Sequence, residues 1–248
     1  MSENGRYLNP LSIFGFRRLF DIKQNKDILI SFLNTLVVKQ STEHHIKDIS
    51  YKPAEYVPPF ETEEDTALYF CCEGQNGARF IVKFQKQLEH LFNKYKIYYL
   101  QSLFNYRIGV GPWRFSPDAI YSIGILDFML EYSEDKSKNK PSDKSKVLHQ
   151  LMIRNVKDGT PFPFFDNRAY IFLEMPSFNK SEHELETELD KWLFILKNIS
   201  SLQEIPPSFQ EPVFKKAFDA LDSTKLQPAE TLAYHESLKK YARKPYEE

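Results

Sequence analysis

The chain has 248 residues, with 33 Lys and Arg against 34 Asp and Glu, and a formal net charge of −1. A near-neutral chain exerts little long-range pull on a polyanion, so any nucleic-acid contact must come from a local cluster of bases. Glycine is scarce at 8 residues beside 21 Phe and 14 Tyr, which excludes a loop-rich scaffold and favours helices with aromatic packing.

Residues 1–9 are polar, and the first apolar cluster is interrupted by Arg17 and Arg18, so no signal peptide is expected. No apolar run approaches the roughly 20 residues that span a bilayer. No membrane contact is expected. Cys71 and Cys72 are adjacent; a bond between neighbours is strained, and two cysteines alone make no structural metal site. They are read as strand or core thiols of a cytoplasmic protein.

In chain order, Asn25-Lys26-Asp27 precedes a helical stripe of Ile28, Leu29, Phe32, Leu33 and Leu36. A short strand is predicted over 46–51, then an irregular, Pro- and acid-rich connection over 53–65. Runs at 67–72 and 79–84 flank Glu73-Gly74-Gln75-Asn76-Gly77 and read as a hairpin. Leu88, Leu91, Phe92, Tyr95, Tyr98 and Tyr99 predict a helix over 85–106, ended by Gly109 and Gly111-Pro112. The near-continuous apolar run 119–130 predicts a strand buried on both faces. A charged loop over 133–146 precedes two further strands, at 147–154 and 169–174. Ser181 and Glu184 have capping-box spacing before a stripe of Leu185, Leu189, Trp192, Leu193 and Leu196. Pro206-Pro207 breaks the chain, and helices follow at 210–221 and 228–242. No internal repeat is visible. The order predicts a mixed α/β core over 1–178 with a helical C-terminal extension over 179–248.

Several stretches together resemble one family. They are Tyr7-Leu8-Asn9-Pro10, Phe14-Gly15-Phe16-Arg17-Arg18-Leu19-Phe20 and Asn25-Lys26-Asp27-Ile28-Leu29-Ile30-Ser31-Phe32-Leu33-Asn34. Later come Asn76-Gly77 through Phe80-Ile81-Val82 to Gln85, Tyr121-Ser122-Ile123-Gly124-Ile125-Leu126-Asp127-Phe128, and Phe178-Asn179-Lys180 through Glu186-Thr187-Glu188-Leu189-Asp190-Lys191-Trp192-Leu193. In this order they resemble the bacterial recombination-promoting nuclease and transposase proteins, along nearly the whole chain. The resemblance implies a restriction-endonuclease-like PD-(D/E)XK fold, with a mixed sheet flanked by helices, and magnesium-dependent cleavage of DNA. Such chemistry needs carboxylates to hold a divalent ion that generates hydroxide and stabilises charge on the phosphorane. The family supplies an acid in the first helical segment, an Asp on the first hairpin strand and a Glu-x-Gln on the second.

This sequence departs at three of those positions. The early acid position holds Ile13, the Asp position Tyr69, and the Glu position Lys83; only Gln85 is retained. Positions 69 and 83 face each other only if the hairpin loop has an odd number of residues. A three-residue turn Gln75-Asn76-Gly77, with Gly77 left-handed, meets this condition. A two-residue Asn76-Gly77 turn would pair Tyr69 with Phe84 and split the site between faces. On this reading no catalytic set is intact and no metal cofactor is expected.

Two alternatives stay open. An acid relocated to Glu89, Glu64 or Asp65 would restore a Mg²⁺-dependent nuclease. Alternatively, Lys83 with Lys86 would hold DNA phosphate without cutting it. His44-His45 lacks a third ligand at metal spacing and reads as an exposed pair. Cys71, on the face of Tyr69, has no evident base and reads as a core thiol. Trp113 and Phe115 around Arg114 read as cover for a core edge rather than a base-stacking platform. The C-terminal helices are a candidate surface for a homo-oligomer.

Overall fold

The computed structural model describes residues 5–20, 23–37, 45–52, 67–75, 78–85, 120–129, 147–151, 157–160 and 168–242. The connection at 53–65, the helix predicted from Gln85 to 106 beyond its first residue, which is strand instead, the glycine stop and the loop at 133–146 lie outside them. Two compact units emerge: residues 1–49 with 178–248, and residues 50–177. The break at 177/178 falls one residue from the predicted boundary at 178/179, while residues 1–49, predicted with the core, group with the C-terminal segment because the N-terminal helices pack with the C-terminal ones.

The first unit is helical. It contains α1 (Ile13–Phe20), α2 (Lys26–Val37), α3 (Glu188–Asn198), α4 (Pro212–Ala220) and α5 (Pro228–Ala242). The Ser12 hydroxyl accepts from Gly15 N–H at 3.0 Å and caps α1. Gly15 is required there, since a Cβ would stand 2.0 Å from the Asn9 carbonyl oxygen. The α2 stripe is buried throughout, together with Val37. Asn25 sits in a 3-10 turn before α2, and its amide donates to the Arg18 carbonyl at 2.8 Å, joining the end of α1 to the start of α2.

The predicted start of α3 is displaced. The Ser181–Glu184 box closes only a 3-10 turn, Glu182–Glu184, after which Leu185 is extended. A second box, Thr187 with Asp190, starts the α-helix: Thr187 Oγ1 accepts from Asp190 N–H at 3.0 Å. The Asp190 carboxylate accepts in turn from Thr187 N–H, Glu186 N–H and Lys180 Nζ. With four groups converging on it, the second box fixes the start that local spacing assigned to the first. Burial alone would raise the Asp190 pKa, but the bonds from Lys180, Thr187 and Glu186 together outweigh it, and the pKa is lowered.

The core of this unit is a relay of rings. Phe16, Phe20, Phe32, Trp192 and Phe214 follow one another at centroid spacings of 5.1, 5.2, 6.2 and 4.9 Å. Phe209 continues it to Phe218, which meets Tyr7 edge-on at 5.2 Å. Two of these pairs, Phe32 with Trp192 and Tyr7 with Phe218, join segments far apart in the sequence. A polar clasp does the same beside it. Leu8 N–H donates to the Leu221 carbonyl at 2.8 Å, Tyr7 bridges Asp222, and the Arg6 guanidinium reaches Asp222 Oδ2 from Nε at 3.1 Å and Nη2 at 2.6 Å.

The second unit is built on a six-stranded sheet, in the order β1 (Ile49–Lys52), β2 (Ala67–Gly74), β3 (Arg79–Gln85), β4 (Ile120–Leu126), β6 (Arg168–Glu174) and β5 (Leu148–Leu151). The β2–β3 and β5–β6 pairs are antiparallel, whereas β4 lies parallel to both β3 and β6. Tyr121, Ile123, Gly124, Ile125 and Leu126 are buried irrespective of the face they occupy, as the apolar run predicts for a central parallel strand. Phe80 and Tyr121 stack across β3 and β4 with rings 5.2 Å apart and nearly parallel. Among the described residues no helix is long and apolar enough to cross a membrane.

Candidate functional site

The hairpin register places the positions that the sequence singles out. Tyr69 pairs with Lys83, Cys71 with Ile81 and Glu73 with Arg79, and Gly74 N–H donates to the Ala78 carbonyl at 2.8 Å. The ladder therefore closes on a loop of residues 75–77, the odd-numbered connection that sets 69 against 83. The conformation expected at Gly77 lies outside the described residues.

Alternation then sorts the hairpin by face. Positions 69, 71, 81, 83 and 85 occupy one side, and Cys72, Phe80 and Val82 are buried on the other. Lys83 and Gln85, two apart, share a face as Glu and Gln do in the family pattern. The parallel register extends this row: Lys83 lies beside Gly124, Gly124 beside Phe172, and Phe172 beside His149. One step along, Gln85 lies beside Leu126 and Leu126 beside Glu174.

Gly124 has a steric role in that row. A Cβ there would approach Phe172 Cδ1 to 2.9 Å, so the Phe172 ring, itself 1% exposed, leans over the strand where a side chain would stand. The glycine next to position 83 makes room for an aromatic from the far neighbour.

The same face holds a carboxylate that sequence reading did not single out. Glu174 is buried at the end of β6, its Oε1 3.4 Å from His149 Nε2 and its Oε2 3.3 Å from the Ser177 hydroxyl. Two strand spacings separate it from Gln85, roughly 10 Å at the usual interval. Alternation along 168–174 puts Glu174 on the face of Tyr170 and Phe172, but only the strand order shows it to be level with Gln85. Among the described residues no group of three or more His, Cys, Asp and Glu is disposed to hold a metal ion.

The structure thus brings Tyr69, Lys83 and Gln85 together on one hairpin face. Ile13 opens α1 in the helical unit. Glu64, Asp65, Lys86 and Glu89 lie outside the described residues, as do His44, Trp113, Arg114 and Phe115. His45 is exposed, and Cys72 is buried.

The donor set does not fit a divalent cation. Hard cations of the magnesium type take oxygen ligands, largely carboxylates. The hairpin offers a phenol, which stays neutral near pH 7, an ammonium and one amide. An ammonium ~4 Å from a divalent ion, at an effective dielectric of ~20, opposes its binding by several kcal/mol.

A family model described as PD-(D/E)XK nuclease family transposase matches residues 10–246. No curated protein and no solved structure matches the chain.

Proposed function

Because the chain belongs to the PD-(D/E)XK nuclease family transposases, we propose that it is a member that no longer cleaves DNA. The observation that carries this reading is the pairing of Tyr69 with Lys83 across β2 and β3. A nuclease of this fold needs its strand carboxylates opposite one another on one face, and here both are replaced, one by a cation. Loss of one acid weakens metal binding; replacement by Lys83 also reverses the local charge.

Supercoiled plasmid incubated with Mg²⁺ or Mn²⁺ is expected to remain uncut over a range at which an active nuclease nicks it to completion. Calorimetric titration with Mn²⁺ is expected to give no heat assignable to Gln85. Metal-dependent nicking that disappears in Glu89→Ala, Glu64→Ala or Asp65→Ala would overturn the reading and establish a relocated acid.

The residual activity this donor set supports is contact with DNA phosphate. The ammonium at 83, with Lys86 three positions on, replaces the ligand of a cation by a ligand of an anion. Binding of a short duplex is expected to fall with rising salt, and each phosphate contact removed lowers the slope of log K against log salt by about 0.9. Lys83→Glu is expected to flatten that slope; an unchanged slope, or no binding at low salt, removes this part of the proposal.

A further inference from the structure

The last helix differs from its neighbours in what holds it. α3 buries Trp192, Leu193, Phe194, Ile195 and Leu196, and α4 buries Phe214, Ala217 and Phe218. Between Pro228 and Lys239, α5 buries only Ser237 and Leu238, and Leu232 is 63% exposed. Three hydrogen bonds tie its described side chains to the start of the chain. Asn9 N–H donates to the Tyr234 hydroxyl at 2.8 Å, Phe14 N–H donates to the Ser237 hydroxyl at 3.0 Å, and Arg18 Nη1 reaches Glu230 at 2.7 Å. The Tyr234 ring lies 5.8 Å from that of Phe14.

Hydrogen bonds of this kind exchange readily for bonds to water, whereas buried apolar surface has no such substitute. We infer that α5 is a latch on the entry to α1: it releases as a unit while α2, α3 and α4 stay folded. Release bares the Asn9 and Phe14 N–H groups together. It does not dismantle α1, because the Ser12 hydroxyl still caps Gly15 and Phe16 N–H still reaches the Ser12 carbonyl at 2.9 Å. The turn that is uncovered is the one that carries Ile13. The device is independent of whether the chain cuts or binds DNA.

Hydrogen exchange read by mass spectrometry on the full chain tests it. Peptides covering 228–242 and 9–16 are expected to gain deuterium together, about tenfold or more faster than a peptide covering 188–198, as local opening below the global limit predicts. In Tyr234→Phe/Ser237→Ala both peptides are expected to speed up by a further factor of about ten, with 188–198 unchanged. The proposal is overturned if 228–242 exchanges no faster than 188–198, or if the double variant accelerates all three alike, since α5 then leaves only with the whole unit. Should the double variant fail to fold, the comparison within the unaltered chain decides alone.

Discussion

In the helical unit the contacts that matter join the two ends of the chain: Tyr7 to Phe218, Arg6 to Asp222, Phe32 to Trp192. In the sheet unit the contacts that define the candidate site are local, a hairpin whose ladder closes on residues 75–77. The difference bears on how residues on the candidate face can be exchanged without disturbing the packing behind them. On the hairpin, Cys72, Phe80 and Val82 are buried on one face while positions 69, 83 and 85 lie on the other. Because side chains alternate, exchanging residues on the second face leaves the packing of the first untouched. The helical unit has no such separation, and its buried rings touch one another in series.

If that contrast is right, single substitutions should hurt the ring relay most. Trp192→Ala removes a fully buried indole lying between Phe32 and Phe214 and is expected to cost about 3–5 kcal/mol, read as helical ellipticity in a urea titration. A loss under about 1 kcal/mol would show that the relay is not the core. In the sheet, the test is Gly124→Ala, where the new methyl meets the Phe172 ring. A cost of about 1–3 kcal/mol is expected by the same titration, and a neutral result would mean that Phe172 moves aside freely.

The polar clasp ranks next. Asp222 is buried, and its carboxylate accepts from Arg6 and from Thr224 N–H and Oγ1. Chiefly through the Arg6 bonds, its pKa is lowered from 3.8 to about 2. A carboxyl with a depressed folded pKa adds stability above its unfolded value and loses it as pH falls through the folded one. The contribution is therefore complete above about pH 4 and fades towards pH 2. Asp222→Asn is expected to cost about 1–2 kcal/mol at neutral pH, discounted because Arg6 is half exposed, and to flatten the stability profile in that acid window. A mutant profile parallel to that of the unaltered chain would place the acid sensitivity elsewhere. Smallest is Thr187→Ala, which removes the cap of α3; about 1 kcal/mol is expected in the urea midpoint. No change would restore the helix start to Ser181.

Much of this was legible in one dimension. The α2 stripe, the last helix at Pro228–Ala242 and the hairpin appear where periodicity and turn chemistry put them, since each depends on residues within a few positions of one another. The departures expected at 13, 69 and 83 follow from the family likeness, and the pairing of 69 with 83 required choosing a three-residue turn over a two-residue one, a choice that the register agrees with. Remote pairing was not legible. Nothing local in 7–37 announces that it packs against 188–221, or that β4 runs parallel between β3 and β6. Glu174 reads as one more strand residue until the register aligns it with Gln85, and Gly124 as an ordinary strand glycine until Phe172 leans over it. Periodicity encodes which side of an element is buried, because side-chain direction repeats along the backbone. What that side meets is decided only when the chain closes on itself.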